Sequence, residues 1–292
     1  MRHGTNRSNT PARRVSWFLV VATTLSLCDN IATAADKEFT LADVRAAWAK
    51  RQKRVRTLEI QLDRKYTVLR RAGRDKGNQT TQNWSIVVRI DGEKFDMRLH
   101  KSTGLSERNA FDGKTSFTLS SSAELQEGRI SSRRHAFGTR WVFLHPITVC
   151  YRPLVPTMSG FEFKDLRLEP KKSGETKVDG HLCQMLIRKE ADGREYVYYV
   201  DPKADFMVRR IESRSKGRRT SQWDISLSHD KKLGWVSSKW TWEFYPPEAT
   251  LNKLSATVKV TKCEINKPIP KSEFRIEFPP GAKVTDERKR KK

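Results

Sequence analysis

The chain has 292 residues, 36% of them hydrophobic and 32% charged, with a formal net charge of +24. That apolar share excludes a disordered polymer, and the length admits one sheet-rich domain or two. So basic a surface attracts polyanions of any kind, which describes an environment and fixes no mechanism.

The first 34 residues differ from the rest. Arg2, Arg7, Arg13 and Arg14 make a positive head, Val15 to Leu27 an apolar run, and Ala32-Thr33-Ala34 a small-x-small cleavage pattern. A signal peptide cleaved after Ala34 is expected, followed by one domain over 35–286 and a basic disordered tail at 287–292. The apolar run is roughly half of the ~20 residues that cross a bilayer, and no later stretch can span one. A periplasmic or otherwise exported protein, not integral to the membrane, is therefore expected. The leader carries four arginines and Asp29, three net charges, so +21 of the +24 remains after cleavage. Export argues against nucleic acid as the physiological partner. Cys28 is a passenger of the leader, which leaves Cys150, Cys183 and Cys263. Three thiols allow at most one internal bridge, and their spacing matches no zinc or redox motif.

The segment from Thr40 to Arg56 predicts the main helix. Leu41, Val44, Trp48, Gln52 and Val55 recur at spacings of three and four, with Asp43 near the start and five basic residues toward the end. Packing of Val44, Trp48 and Val55 on a sheet is preferred over a membrane-surface helix. The period then changes to two. Leu58-Ile60-Leu62, Trp84-Ile86-Val88-Ile90, Phe95-Met97-Leu99 and Thr115-Phe117-Leu119 each predict a strand with one buried face.

Residues 70–81 lack an apolar period and read as a loop. Residues 133–160 break the pattern and fit a helix or lid crossing the sheet. Further strands are predicted at Phe161–Phe163, Leu182–Ile187, Tyr196–Val200, Phe206–Ile211, Trp223–Leu227, Trp240–Phe244 and Leu254–Val260. Asp91-Gly92, Asp112-Gly113, Asp179-Gly180 and Asp192-Gly193 punctuate these runs as tight hairpin turns. About ten or eleven antiparallel strands follow from the period, and a sheet so wide tends to curl.

Motifs that carry chemistry are missing. The six histidines have no metal-ligand spacing, and there is no nucleophile elbow, phosphate loop or dinucleotide fingerprint. No enzyme, metal or cofactor is expected. The basic clusters Arg133-Arg134, Arg209-Arg210 and Arg214 to Arg219 read as solvated faces and turns before they read as head-group sites. The aromatic residues say more. Trp240, Trp242 and Phe244 share one strand face, which suits either a packed core or an apolar cavity for acyl chains. Trp84, Phe95, Met97, Trp141, Trp240 and Trp242 are the candidate cavity residues.

Several stretches resemble one family. They are Val44-Arg-Ala-Ala-Trp48 after an export signal, Val178-Asp179-Gly180-His181-Leu182-Cys183, Tyr199-Val200-Asp201-Pro202-Lys203 with Val208-Arg209-Arg210-Ile211, and the ending Phe278-Pro279-Pro280-Gly281-Ala282-Lys283-Val284. Together with a continuous antiparallel meander, these resemble the periplasmic lipoprotein-carrier group of LolA, LolB, LppX and the RseB N-terminal domain, over most of residues 38–286. The chain is far more basic than a typical soluble carrier. The resemblance implies a mainly β, α+β fold: a strongly curved unclosed half-barrel covered by an N-terminal helix and a helical or lid segment. It also implies a monomeric, non-catalytic envelope protein that holds a lipid or the acyl chain of a lipoprotein. The alternative is a periplasmic interaction or sensor module that binds a partner protein or an acidic cell-wall polymer. An anionic membrane surface is a further expected contact.

Overall fold

The structure is a computed structural model that describes residues 40–70, 77–132, 141–153, 168–246 and 252–289. The expected signal peptide with its cleavage at Ala34, and the strand expected at Phe161–Phe163, lie outside these residues.

Helix α1 (Leu41–Arg54) starts at a capping box. The Asp43 backbone N–H donates to Thr40 Oγ1 at 3.2 Å, and the Thr40 N–H donates to Asp43 Oδ2 at 2.9 Å, so two otherwise orphaned donors are satisfied. Its stripe packs inward as the spacing predicts: Val44, Trp48 and Val55 are buried. Two polar contacts fix its seat. Trp48 Nε1 donates to the carbonyl of Phe206 at 2.8 Å, and the buried Arg51 donates to the carbonyl of Asp205.

Fourteen strands form one unclosed, curved sheet. Strands β1 (Thr57–Leu69), β2 (Gln79–Asp91), β3 (Lys94–Lys101), β4 (Ser106–Phe111), β5 (Ser116–Ser121) and β6 (Gln126–Ser131) make one antiparallel meander. Strands β7 (Leu168–Val178), β8 (His181–Lys189), β9 (Arg194–Asp201), β10 (Met207–Ser215), β11 (Arg218–Asp230), β12 (Gly234–Phe244) and β13 (Lys253–Ile265) make a second. The halves meet where β1 pairs with β13 from Leu58↔Ile265 to Leu69↔Lys253. A short β14 (Lys283–Asp286) adds in parallel to β6.

Among the described residues, the expected ten or eleven strands in one continuous meander are thus corrected to fourteen: thirteen in two meanders and β14 added in parallel. The period missed β4, β6, β7 and β14, which carry few apolar residues. The expected loop at 70–81 is also shortened, because β2 begins at Gln79 and the Arg70 N–H donates to the carbonyl of Asn78 at 3.1 Å. At that exposed hairpin end the ladder needs no apolar side chains. All four Asp-Gly pairs do turn the chain between neighbouring strands. At Asp179-Gly180, φ is 49° and 81°, the left-handed pair of a two-residue hairpin.

The inner face carries Leu58, Ile60 and Leu62 on β1, Ile86 and Val88 on β2, and Phe95, Met97 and Leu99 on β3. Together with Ile211, Trp223, Ile225, Trp240 and Val258 these form one continuous core. Helix α2 (Trp141–Tyr151) closes it. Its sequence WVFLHPITVCY is apolar all round, which suits a helix buried on every side. His145 on α2 is fully enclosed, its ring 5.5 Å from that of Trp223 and about 6 Å from those of Tyr196 and Tyr198. Burial, and secondarily the cation of Arg188, push its pKa down to about 3. The three thiols are unbridged; burial pushes Cys150 up to about 12 and Cys183 up to about 11.

The outer face of β3 and β4 is held by charges. Asp96 is fully buried there and accepts from Arg108 Nε at 2.7 Å and from Arg98 Nε and Arg89 Nη1 at 3.1 Å. Glu273, on the 3-10 turn Lys271–Phe274, accepts from Arg89 at 3.0 Å and from Arg98, and its carbonyl accepts from Arg108 at 2.8 Å. The turn thereby buries Phe274, and the chain runs on to β14. Of the basic tail, Glu287–Lys289 form a 3-10 turn and 290–292 lie outside the described residues.

Two outcomes follow. A Cβ at Gly128 on β6 would lie 2.5 Å from the ring of Phe278. Gly128→Ala should cost about 1–3 kcal/mol and loosen the C-terminal segment; an unchanged thermal midpoint and unchanged amide exchange at 278–286 would contradict this packing. His145 titrates lower folded than unfolded, so the unfolded chain takes up its proton first as pH falls. Its contribution is complete above pH 6.5 and declines between 6.5 and about 3, at about 1.4 kcal/mol per pH unit. Denaturant unfolding at pH 7, 6 and 5 should show this slope in the native chain and lose it in His145→Phe; equal slopes would contradict the account.

Candidate functional site

The predicted cavity residues divide by depth. Phe95, Met97 and Trp240 are fully buried and Trp242 nearly so, all in the core between sheet and helices. Trp84 is half-buried at the edge of that core. Trp141 opens α2, but its side chain lies outside what is described. The sheet thus places Trp84 apart from the other aromatic residues, on the part of the inner face where the core ends.

That end can be followed row by row across β1, β13 and β12. Arg64, Val258 and Trp240 form one row, and all three are buried. In the next, Tyr66 is half-buried beside buried Ala256 and Trp242. The last row is Val68, Leu254 and Phe244, all half-exposed. Strands of 11 to 13 residues reach about 36–43 Å at 3.3 Å per residue, whereas the 14 residues of α1 cover about 21 Å. These strands are therefore longer than α1, and burial among the described residues falls off along them.

Two cations stand on this rim. Arg64 pairs directly with Trp84 across β1 and β2, and its guanidinium sits 4.2 Å from the Trp84 ring centre and 4.7 Å from that of Tyr66. Burial pushes its pKa down to about 10, so it stays charged at neutral pH. Lys101 Nζ lies 4.9 Å from the Trp84 ring and 3.9 Å from Glu107. The indole therefore carries a cation from each neighbouring strand. Arg64, Tyr66 and Lys101 were not singled out in the sequence. The signal was there, because Arg64 and Tyr66 continue the alternation of Leu58, Ile60 and Leu62.

A hollow of about 460 Å³ lies where the C-terminal ends of α1 and α2 meet the β2–β3 turn, lined by Lys53, Arg56 and Arg152. Arg152 Nη1 donates to the carbonyl of Gly92 at 2.6 Å. Cations there complement two helix C-termini, which is a structural use of charge. Among the described residues no group of three His, Cys, Asp or Glu is placed to hold a metal ion, and no helix is long and apolar enough to cross a membrane.

No protein-family model matches the chain, and no curated protein matches it. Solved structures do. An outer membrane lipoprotein-sorting protein domain from Vibrio parahaemolyticus superposes with a TM-score of 0.52 at 12% identity, over 80% of this chain and 94% of that one. A DUF1329 family protein from Desulfovibrio piger gives 0.50 at 13% identity, over 80% and 97%. A LolA superfamily protein from Nitrosomonas europaea gives 0.45 at 10% identity, over 80% and 97%. At such identities the first two show a shared fold: the chain folds like the lipoprotein-sorting domain, as the resemblance in its sequence implies.

Proposed function

We propose that this chain is an exported, non-catalytic binding protein that takes a lipid or an acylated ligand on the partly exposed end of its inner sheet face. The observation that carries the reading is the gradient of burial along that face. Val68, Leu254, Phe244, Tyr66 and Trp84 continue the core and remain partly open to solvent. An acyl chain laid along them removes apolar area from water at about 25 cal/mol per Å², which for a long chain outweighs the cost of ordering it. Arg64 and Lys101 supply positive charge where an anionic head group would stand. The shared fold with a lipoprotein-sorting domain supports the same ligand class.

Oleate at 100 times its dissociation constant should stabilise the native chain by about 2.7 kcal/mol and raise its thermal midpoint by several degrees. Phe244→Glu places a carboxylate among the half-exposed rim residues and should abolish that shift while the free protein still unfolds cooperatively. No shift in the native chain, or an equal shift in the variant, would count against this site.

A further inference from the structure

The outer face of the same strands carries a second feature. A depression of about 610 Å³ crosses β13, β1, β2 and β3. The inner-row residues Arg64, Trp84 and Lys101 complete its lining, most of which is outward-facing, since Asp63, Lys65, Asn83, Ser85, His100, Ser102, Thr257 and Lys259 are exposed. Register aligns these side chains in two rows. One runs Lys239, Lys259, Asp63, Ser85, His100 across five strands, about 19 Å at the spacing of paired strands. The other places Lys65 between Thr257 and Asn83, with Ser102 beside Asn83.

The charges in these rows are unbalanced. Lys239 and Lys259 face each other directly across β12 and β13, an arrangement that destabilises a sheet. Neither of them, nor Lys65, makes an ion pair among the described residues, whereas Lys262 further along β13 is paired with Glu59 and Glu264. Asp63 is the one carboxylate in the rows, against three ammonium groups. Lys65 and Lys259 in the depression and Lys239 beside it, none in an ion pair among the described residues, stand with hydroxyl and amide side chains and form a surface complementary to an extended anion that carries hydroxyl groups.

We propose that this depression binds an acidic polysaccharide. Its carboxylate or sulfate groups pair with Lys65, Lys239 and Lys259, and its hydroxyls bond to Asn83, Ser85, Ser102 and Thr257. A single small anion leaves most of the row's length unused. Lys65 and Lys259 face away from the apolar rim residues Tyr66, Val68, Phe244 and Leu254, whereas Arg64, Trp84 and Lys101 border both the depression and the rim.

Binding of fluorescent polygalacturonate to the chain lacking residues 1–34 provides the test, with neutral dextran as control. The native protein should bind polygalacturonate and not dextran, and binding should weaken steeply between 50 and 300 mM salt, as screening requires. Lys65→Gln with Lys259→Gln should lower the affinity about tenfold, the order expected for two exposed charge pairs. Lys177→Gln with Lys189→Gln removes the same net charge from β7 and β8 and should change it less than about twofold. Phe244→Glu should leave the loss caused by the first pair of substitutions intact. Equal loss in both lysine pairs would reduce the effect to net charge and overturn the site. So would no binding by the native chain, or anionic vesicles that bind more tightly through the same lysines.

Discussion

The pairing of β1 with β13 is the constraint on which the rest depends. It joins the first long strand to the last through twelve paired positions and turns two meanders into one sheet. The chain between them is long, but the entropy of closing a loop grows only slowly with its length. The return is a single apolar face instead of two sheets with open edges. Helix α1, which leads directly into β1, is tied to the second meander at two places. Trp48 and Arg51 donate to carbonyls between β9 and β10, and Asn266, just after β13, bonds to the backbone of Arg54 and Arg56.

The sheet is covered differently on its two sides. Two helices pack on the inner face, where Trp48, Ile147 and Tyr151 share one core with Ile60, Met97 and Trp240. The outer face of β3 to β6 is covered by the C-terminal segment, fastened by Asp96 and Glu273 to three arginines. Asp96 is the fully buried member of this network, and its charge is balanced by three partly exposed arginines that Glu273 also pairs with. Toward the far end of the inner face, Tyr66, Val68, Phe244 and Leu254 are only partly buried, and on the outer face behind them Lys65 and Lys259 are exposed. These residues lie on β1, β12 and β13, strands longer than α1.

The core was legible because its residues alternate. Leu58-Ile60-Leu62, Phe95-Met97-Leu99 and Trp240-Trp242-Phe244 each fall on one face, as the period requires. Strands such as β4 (SERNAF) and β6 (QEGRIS) escaped because they lie beyond the helices and carry polar or charged residues on both faces. Helix α2 gave no periodic signal because it is apolar all round. The clasp around Asp96 joins residues from Glu59 to Glu273, and no local pattern announces partners so far apart in the chain. Within the candidate site Trp84 was readable as an aromatic residue on an alternating strand. Its companions Arg64 and Lys101 looked like ordinary charges, because only the strand register turns them onto the inner face.

Organic extraction and mass spectrometry of the protein, purified without detergent from a lipid-containing host, test the central claim most directly. The account predicts lipid or fatty acid in near-stoichiometric amount from the native chain and a large reduction from Phe244→Glu. A native protein that folds and carries no lipid, and takes up none when it is offered, would contradict the claim that the partly exposed end of its inner face is an acyl-binding surface.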